Sequence, residues 1–543
     1  MNVQSYLNSP EWDSRRISPS SSWQPARLRA PLPRERVITL ASLSNRIPDG
    51  FIAEAFSQAL YEITGKSALL IHLELAESPF TLRDWSELYP MINGEFGLAN
   101  RLRRVHEQLS EVRIGVASEL SDPQAIKHLM EHCSRHFDQI IFHLDPQDPV
   151  SLMTQCMLVS DRAFLLLQPT SDNLYHRDLL HRELRADPRC ESFNLKTIVC
   201  REDGEEHFNE VLKTLASPIH GFIHGCPSPS AALEVRSWKN REFNADIRRM
   251  AREVTHTRVG LALSSGGARS LAHIGVIQVL EENGIEVDVI AGCSMGAYIG
   301  SVWAYGYDGE TMERLAREVE KRWGVLELID PFILPRQGFL RGEKVKRRLK
   351  RSIGDVHFSE LVRPLRIVAT NLTTLEAHIF STGEVATAVH ASSAIPGACA
   401  PVKVGEELYV DGGISDPLPV DVLQEMGIEK IIAVNTIPTP AYLRCRMEME
   451  REQAELRGNK PGKIRSFVHQ YLNYFAPGNI LDIILRAFHG AQMRVAEHSC
   501  LQADLVLRPL SFDGRWHDFR HPGKYIALGR LEAEEHLAEI QAL

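Results

Sequence analysis

Short apolar runs that alternate with helical stretches occupy most of this chain, and they limit the folds that it can adopt. The runs of a first series lie at 36–43, 67–75, 112–117, 137–145, 162–169 and 195–202. Those of a second series lie at 258–263, 287–292, 365–372, 407–413 and 430–436, with a late run at 503–510. Strands that alternate with helices build layered α/β folds with a mainly parallel sheet. The pattern therefore predicts two α/β domains in succession.

A break in this rhythm near the middle of the chain suggests where the domains meet. A stretch at 226–240 that begins with Pro and Ser residues interrupts the alternation, and 543 residues exceed the usual length of one domain. The predicted parts are a flexible leader at 1–36, a first α/β domain at 37–225, a linker and helix at 226–257, the core of a second α/β domain at 258–440, and a helical insertion with the C-terminal part of that domain at 441–543.

Charge and cysteine usage exclude several classes of protein. A net charge of −9 does not favour a nucleic-acid binder, and the nine cysteines include no CxxC pair that would indicate a zinc site. Scattered cysteines fit a reducing compartment. The N-terminal residues have no apolar signal core, and no apolar run reaches about 18 residues, so neither secretion nor a membrane span is predicted. We expect a cytoplasmic protein without metal or cofactor, either soluble or peripheral on the inner membrane face.

A partial phosphate-binding motif occurs in the first predicted domain. Gly65-Lys66-Ser67 is the tail of a P-loop, but Leu60 stands where the motif requires a glycine five positions earlier. The motif also ends a predicted helix instead of opening one, and the loop after the first predicted strand, at 42–51, has no lysine. The sequence therefore predicts a helix C-terminus and a degenerate P-loop region.

A glycine-rich loop follows the first strand of the second series, in the stretch VGLALSSGGARSLAHIGV at 259–276. Glycines at a strand-to-helix turn expose backbone N–H groups to an anion. The run Ser264–Ser270 lacks the GxGxxG spacing of a dinucleotide site. The acid that would bind ribose should end the second strand, whereas Asp288 lies near its start. The loop is therefore not predicted to bind a nucleotide.

The second strand of this series ends in a nucleophile-elbow motif. The residues GCSMG at 292–296 match G-x-S-x-G between an apolar run and a helical stretch. Gly292 and Gly296 leave room for a sharp turn that holds the Ser294 hydroxyl at a helix N-terminus, where the helix dipole favours a developing negative charge. Ser294 is the predicted nucleophile; a tight turn with an incidental serine is the alternative.

An aspartate at the end of a later predicted strand is the candidate base. Asp411 immediately precedes Gly412 and Gly413. Because the carboxyl ends of parallel strands gather at one edge of a sheet, we expect Asp411 to meet Ser294 there. Burial would raise the pKa of its carboxyl from the reference value of about 3.9 and make it a better base. An ordinary Asp-Gly-Gly turn is the competing interpretation.

The glycine-rich loop is predicted to stabilise the negative charge that forms during attack by Ser294. When Ser294 attacks an acyl carbon, the carbonyl oxygen becomes an anion, and backbone N–H groups can hold it. We predict an oxyanion hole from Gly266, Gly267 and Ala268. Arg269 either adds positive charge to that site or braces the loop, and the sequence favours neither role.

These motifs, in this order, resemble the patatin-like phospholipase family. SSGGARS, GCSMG and DGG match the family's oxyanion loop with its arginine, its G-x-S-x-G motif and its Asp-Gly-Gly over roughly 258–440. The chain looks most like the bacterial relatives of neuropathy target esterase, in which a nucleotide-binding-like region without a working P-loop precedes the patatin domain.

The resemblance implies both a fold and a chemistry. It implies a three-layer α/β/α patatin-like domain preceded by a Rossmann-like α/β domain at 37–225. It also implies a Ser294–Asp411 dyad without histidine or metal, and hydrolysis of phospholipid or lysophospholipid acyl esters. Where the family usually has further glycines, this chain has Ser265 and Ser270, which predicts a less flexible oxyanion loop.

Two other functions stay open on the sequence. One is an α/β-hydrolase whose base is a histidine, and the candidates are His273, His469, His489, His498, His517 and His521. The other is a lipid-binding or regulatory protein with weak catalysis, which the two loop serines motivate. The basic stretch at 341–352, preceded by an apolar stretch at 328–340, would either face anionic lipid or form a solvated helix face. The sequence predicts no oligomeric state.

Overall fold

The structure, a computed structural model, divides into two compact units between Thr257 and Arg258. The residues that it describes are 35–75, 81–82, 102–116 except 107, 125–186 except 169, 195–201, 219–234, 240–320, 338–439, 480–510 and 517–543, together with 330, 442, 444, 448 and 514. The predicted leader, apart from its last two residues, lies outside this set, and so does most of the predicted insertion before 480.

The described part of the N-terminal unit contains one sheet of nine strands. The strands are β1 (Val37–Ser42), β2 (Ala68–Leu75), β3 (Thr81–Leu82), β4 (Arg103–Arg104), β5 (Leu109–Val116), β6 (Gln139–Leu144), β7 (Arg162–Leu167), β8 (Leu195–Cys200) and β9 (Gly221–Ile223). Their order is β3-β5-β2-β6-β1-β7-β8-β9, and β4 pairs with β5. Among these strands, only the β4–β5 pair is antiparallel.

Helices cover both faces of this sheet because successive strand residues point to opposite sides. The helices are α1 (Asp49–Thr64), α2 (Ala125–Cys133), α3 (Val150–Val159), α4 (Ser171–Ala186), α5 (Pro229–Glu234) and α6 (Arg241–Val254). On one face Ile38 and Leu40 pack with apolar residues of α1 and α6. On the other face Val37 and Ala41 pack with apolar residues of α2, α3 and α4. The arrangement is the predicted Rossmann-like α/β fold.

The partial P-loop motif lies between a helix and a strand. Gly65 caps α1 in the left-handed conformation with a φ of 64°, and its N–H donates to the Tyr61 carbonyl. Ser67, just before β2, donates both its N–H and its hydroxyl to Asp138. The residues that would cradle a phosphate in a P-loop thus end α1 and lead into β2.

The described part of the C-terminal unit contains a sheet of eight strands. They are β10 (Val259–Leu263), β11 (Val289–Cys293), β12 (Leu365–Asn371), β13 (Ala377–Phe380), β14 (Val402–Val404), β15 (Glu407–Asp411), β16 (Lys430–Val434) and β17 (Leu505–Leu507). The order is β14-β15-β12-β11-β10-β16-β17, and β13 pairs with β12. The five strands from β12 to β17 in this order are parallel, whereas β13 and β15 run antiparallel to β12, and β14 antiparallel to β15.

Two helical layers enclose this second sheet and complete the expected α/β/α order. The helices are α7 (Ala272–Glu282), α8 (Met295–Tyr305), α9 (Gly309–Arg317), α10 (Glu343–Ile353), α11 (Val385–Ser392), α12 (Val420–Glu425), α13 (Ile480–Cys500), α14 (Pro522–Glu535) and α15 (Leu537–Ala542). One apolar core joins the sheet to α7, α8, α11 and α14, and a second joins its other face to α12 and α13. Among the described residues, no helix combines the length and apolar character needed to cross a bilayer.

Candidate active site

Ser294 occupies a strained turn between β11 and α8. Its φ of 53° lies in the left-handed region, which a residue with a side chain adopts only when its surroundings impose it. The surroundings include Ser392, whose hydroxyl accepts the Ser294 N–H at 2.7 Å and donates to the Val368 carbonyl at 2.6 Å. Ser392 therefore fixes the backbone of the turn that carries Ser294, as a nucleophile elbow requires.

The two elbow glycines allow the backbone to approach itself closely. A Cβ added at Gly296 would overlap the carbonyl oxygens of Leu263 and Ser264, at the end of β10. A Cβ added at Gly292 would overlap the backbone of Ala297. The first turn of α8 therefore rests on the end of β10, and this contact places the elbow beside the glycine-rich loop.

Replacing Gly296 with alanine is expected to destabilise the protein by about 1–3 kcal/mol, because an overfilled site forces the backbone to shift. Gly490→Ala is the matched control, since a Cβ at Gly490 would meet no described atom within 4 Å. In the interior of α13, alanine should stabilise by up to about 1 kcal/mol. Denaturant unfolding of both variants measures the difference. Equal free energies of unfolding would contradict the close contact at Gly296.

The Ser294 hydroxyl donates a hydrogen bond to Asp411 Oδ2 at 2.7 Å. The other carboxylate oxygen, Oδ1, accepts the Gly413 N–H at 2.8 Å, and the Cys293 thiol lies 4.0 Å from it. Burial raises the pKa of the Asp411 carboxyl to about 6, although the hydrogen bonds from Ser294 and Gly413 act in the opposite direction. A buried carboxylate that touches the hydroxyl can accept its proton near neutral pH.

Asp411 reaches Ser294 by a route that the parallel-strand argument did not predict. The strand that carries it, β15, runs antiparallel to β12, so the expected gathering of parallel carboxyl ends is the wrong reason for the meeting. β15 enters from the carboxyl edge of the parallel strands and ends with Asp411 opposite Ala369. Val368, which precedes Ala369 in β12, pairs with Cys293 of β11, the residue before Ser294. Asp411 thus ends beside the elbow.

The glycine-rich loop begins level with the elbow because Leu263 of β10 pairs with Gly292 of β11. The loop enters a 3₁₀ turn at Gly267–Leu271, and Gly267 has a φ of 60°, which favours glycine. At Gly266 an added Cβ would overlap the hydroxyl oxygens of Thr436 and Ser270. N–H groups at the start of such a turn have no preceding turn to bond to, so those of Gly267 and Ala268 can serve an external anion.

The two loop serines do not strain this turn. Among the described residues other than glycine, only His256, Ser294 and Leu375 have a positive φ. Instead, Ser265 and Ser270 take part in hydrogen bonds that hold the loop. The Ser270 hydroxyl lies 3.1 Å from that of Thr436, which in turn donates to the Ser265 carbonyl at 3.1 Å.

Thr436 and Gln492 are site residues that sequence analysis missed. The Thr436 N–H donates to the Ser264 hydroxyl at 2.9 Å, and the Gln492 amide donates to the Ser265 hydroxyl at 3.3 Å. Thr436 follows β16 at the carboxyl edge of the parallel strands, and that position was a usable signal. Gln492 lies within α13, where nothing in the sequence distinguishes it from other helical residues.

Arg269 contacts the loop itself. Its Nε donates to the Gly266 carbonyl at 3.4 Å, and its side chain is largely buried. Of the two roles that the sequence left open, this contact supports bracing of the loop.

The candidate histidines are not found at the dyad. His273 is fully buried, its Nε2 lies 3.0 Å from the Ser264 carbonyl, and burial lowers its pKa to about 4. His521 bonds Asp518 at 2.8 Å. His469 lies outside the described residues. In the described part of the chain, no histidine hydrogen-bonds to Ser294 or Asp411.

The basic stretch forms helix α10, and several of its cations have acidic partners. Lys346 and Lys350 both contact Glu384, and Lys350 also contacts Asp355 at 2.7 Å. Arg348 contacts Glu318 at 3.3 Å. These ion pairs support the solvated helix face. Most of the preceding apolar stretch lies outside the described residues.

Comparison with known proteins shows which family the part of the chain around this site is similar to. Residues 261–423, which include the glycine-rich loop, the elbow and Asp411, match the family Patatin-like phospholipase. An uncharacterized NTE family protein of Mycobacterium tuberculosis is 43% identical over 178 residues, which are 33% of this chain and 49% of that protein. The lysophospholipase NTE1 of Kluyveromyces lactis is 29% identical over 247 residues, which are 45% of this chain and 17% of that protein.

The matches cover only part of each protein. The chain spans about half the length of the mycobacterial relative and less than a fifth of the yeast one. The match to a solved structure, that of a ParA family ATPase from Chlorobium tepidum, covers 40% of this chain and 98% of that one, at 17% identity and a TM-score of 0.31. Residues 261–423 are therefore similar to the family Patatin-like phospholipase, and this part of the chain is similar to proteins named as members of the NTE family.

Proposed function

We propose that this protein hydrolyses acyl esters of phospholipids or lysophospholipids. The observation that carries the proposal is the 2.7 Å hydrogen bond from the Ser294 hydroxyl to the buried carboxylate of Asp411. The family match at 261–423 contains all the motifs of the site, and the yeast relative is named a lysophospholipase. Ester hydrolysis by a serine nucleophile fits both.

In the first step Ser294 Oγ attacks the acyl carbon of the ester. Asp411 Oδ2 accepts the hydroxyl proton as the new O–C bond forms. The carbonyl oxygen becomes an oxyanion, and the backbone N–H groups of Gly266, Gly267 and Ala268 hold its charge. When the tetrahedral intermediate collapses, the ester C–O bond breaks, and the leaving alkoxide takes the proton from Asp411.

In the second step water completes the hydrolysis. Asp411 accepts a proton from a water molecule whose oxygen attacks the acyl carbon of the acyl-Ser294 ester. A second oxyanion forms in the same hole, and its collapse releases the fatty acid. Asp411 returns the proton to Ser294 Oγ, so the dyad ends as it began. No metal or cofactor enters this cycle.

The location of the protein and its partners form part of the same proposal. Its substrates lie in membranes or micelles, so the protein must contact a lipid surface during turnover. We place it in the cytoplasm, peripheral to the inner membrane face. The proposal also includes a division into a flexible leader at 1–36, a Rossmann-like domain at 37–225, a linker and helix at 226–257, a catalytic core at 258–440, and a helical insertion with the C-terminal part of the catalytic domain at 441–543. The alternative of a weakly catalytic lipid binder was suggested by Ser265 and Ser270 in the glycine-rich loop. Hydrogen bonds of these two serines hold the loop, so they give no reason to expect weak catalysis.

We expect kcat/KM for ester hydrolysis to rise with pH through a midpoint of about 6. Burial raises the pKa of Asp411 to about 6 in the folded protein. Below that pH the carboxyl carries a proton and cannot accept another from Ser294, so activity is lost on the acid side. Initial rates between about pH 4 and pH 8 at constant ionic strength measure the midpoint.

The control for this profile is its temperature dependence. Carboxyl groups ionise with an enthalpy near zero, so the midpoint should barely move between cold and warm assays. A midpoint below pH 5 would indicate an aspartate in its ordinary range. That result would contradict the raised pKa of Asp411. A midpoint that falls strongly on warming would indicate histidine and would contradict the assignment of Asp411 as the base.

The proposal as a whole is tested by a panel of lipid esters. Phosphatidyl and lysophosphatidyl lipids with several head groups and acyl lengths are supplied in detergent micelles, and free fatty acid is measured. The Ser294→Ala variant serves as the blank. Fatty acid release by the wild type alone is the expected result. If no ester in the panel is hydrolysed above the blank, the proposed function is wrong.

A further inference from the structure

A cluster of buried titratable groups lies between the sheet of the N-terminal unit and α1. His72 of β2 pairs in register with His143 of β6. Glu111 of β5 pairs in register with Leu70, two residues before His72, so its side chain is on the same face of the sheet. Asp49 and Glu54 of α1 cover this face. The proposed esterase chemistry uses none of these residues.

Two polar atoms at the centre of the cluster face each other without hydrogen bonds. His72 Nε2 and Glu111 Oε2 are buried, neither has a hydrogen-bond partner among the described residues, and they are 4.0 Å apart. The His72 side chain is 2% exposed and that of Glu111 is 5% exposed. Buried polar atoms almost always have partners, so this pair requires an explanation.

The other ring nitrogen of His72 forms a hydrogen bond within the cluster. His72 Nδ1 lies 3.0 Å from His143 Nδ1, so one of the two must donate to the other. A neutral His72 ring carries one hydrogen, on Nδ1 or on Nε2. If Nδ1 of His72 carries the hydrogen, its Nε2 presents a lone pair to the Glu111 carboxylate. Two lone pairs that face each other need a cation between them.

Glu54 supplies a third ligand from the helix. One carboxylate oxygen of Glu54, one of Glu111 and a ring nitrogen of His72 lie within 4.8 Å of one another. In a tetrahedral site with metal–ligand bonds of about 2.1 Å the ligand atoms lie about 3.4 Å apart, so the three atoms would have to approach one another by roughly 1.4 Å or less.

The ion pair between Arg103 and Glu111 does not use the carboxylate oxygen that faces His72. Arg103 Nη1 contacts Glu111 Oε1 at 3.0 Å, but this is the oxygen that does not face His72, and the Arg103 side chain is 75% exposed. The ion pair therefore orients the Glu111 carboxylate and leaves Oε2 directed at His72. On the far side of the cluster, His143 Nε2 lies 3.8 Å from Asp49 Oδ1. A ligating histidine commonly donates its second N–H to such a chain of acceptors.

We propose that His72, Glu54 and Glu111 bind one divalent transition-metal ion, which fastens α1 to β2 and β5. One imidazole nitrogen and two carboxylate oxygens suit Zn²⁺ or Mn²⁺, and the two carboxylates balance the charge of the ion. The site lies within the N-terminal unit, and its function is structural. It is independent of the proposed ester hydrolysis, so either can fail without the other.

The first test titrates the purified full chain, stripped with a chelator, with Zn²⁺ and separately with Mn²⁺ in a calorimeter. One ion should bind per chain, and the preferred ion should raise the melting temperature. Glu54→Gln should weaken this binding about 100-fold or more, because it removes a ligand. Glu62→Gln is the matched control on the same helix, since Glu62 bonds Gln58 at 2.9 Å outside the cluster.

A second pair of variants tests the imidazole. His72→Asn should abolish the metal-dependent rise in melting temperature, whereas His224→Asn should retain it. His224 is the matched control because it is a buried histidine bonded to a carboxylate of Asp246 at 2.8 Å in the same unit. If His72→Asn does not fold, the comparison of Glu54→Gln with Glu62→Gln decides. Absence of saturable binding of either ion by the wild type, or equal affinity in those two glutamine variants, would overturn the proposal.

Discussion

Replacing Ser294 with alanine is expected to lower ester hydrolysis by about 10⁵–10⁶-fold, to the level of the blank. Removal of a serine nucleophile has an effect of this size because the remaining groups cannot form the acyl intermediate. Labelling by a fluorophosphonate probe should disappear together with hydrolysis. Turnover of a phospholipid or lysophospholipid ester and in-gel labelling measure the two effects.

The control for this variant is Ser301→Ala. Ser301 is a buried serine of α8 whose hydroxyl donates to the Ala297 carbonyl at 2.7 Å, so it cannot act as the nucleophile from that position. Activity within a few-fold of the wild type is expected. Alanine at 294 must adopt the same φ of 53° as serine, so both variants should melt near the wild type. Substantial turnover or labelling in Ser294→Ala would exclude Ser294 as the nucleophile.

Replacing Asp411 with asparagine is the second large expected effect, a loss of roughly 10³–10⁴-fold in kcat. Asparagine preserves the size of the side chain and can still accept the Gly413 N–H, but its amide cannot take the proton of Ser294. The loss therefore measures general-base catalysis and orientation of the hydroxyl. Steady-state kinetics should show KM nearly unchanged, because Asp411 touches the nucleophile and not the bound lipid.

Asp416→Asn is the matched control for Asp411→Asn. Asp416 is also buried, and burial raises its pKa to about 7, with the charge of Asp421 adding to the shift. It is therefore partly protonated at neutral pH, and asparagine resembles that form closely. We expect activity within a few-fold of the wild type, whereas an equal loss in both variants would indicate a disturbed loop.

The same experiment separates the dyad from a histidine-dependent hydrolase. His517→Ala and His521→Ala should retain activity if Asp411 is the base. If one of them eliminates hydrolysis while Asp411→Asn retains it, the dyad is wrong and a distal histidine is the base.

Most of the longer parallel strands could be predicted because they carry their own apolar signal. The apolar runs at 287–292 and 430–436 correspond to Val289–Cys293 and Lys430–Val434. Such strands are buried on both faces, so nearly every residue is apolar. The short strands Ala377–Phe380 and Val402–Val404 were not predicted, since three or four residues carry little pattern and depend on pairing with a neighbour.

The residues that form hydrogen bonds to the glycine-rich loop were harder to predict than the motif residues within it. SSGGARS and GCSMG are local motifs, and both form turns at the positions of their glycines. Ser265 raised the expectation of a hindered loop, yet its hydroxyl accepts a bond from Gln492, 227 positions away along the chain. Hydrogen bonds over such separations arise from the fold and leave no local trace in the sequence.

The sequence alone determined the positions of Ser294, Asp411 and the glycine-rich loop, because each lies in a turn whose glycines are dictated by local backbone geometry. The tertiary structure decided how these elements meet. β15 runs antiparallel to β12 and ends with Asp411 opposite Ala369, and burial then raises the pKa of the carboxyl to about 6. Strand direction and burial depend on the packing of distant segments, so no short stretch of sequence could specify them.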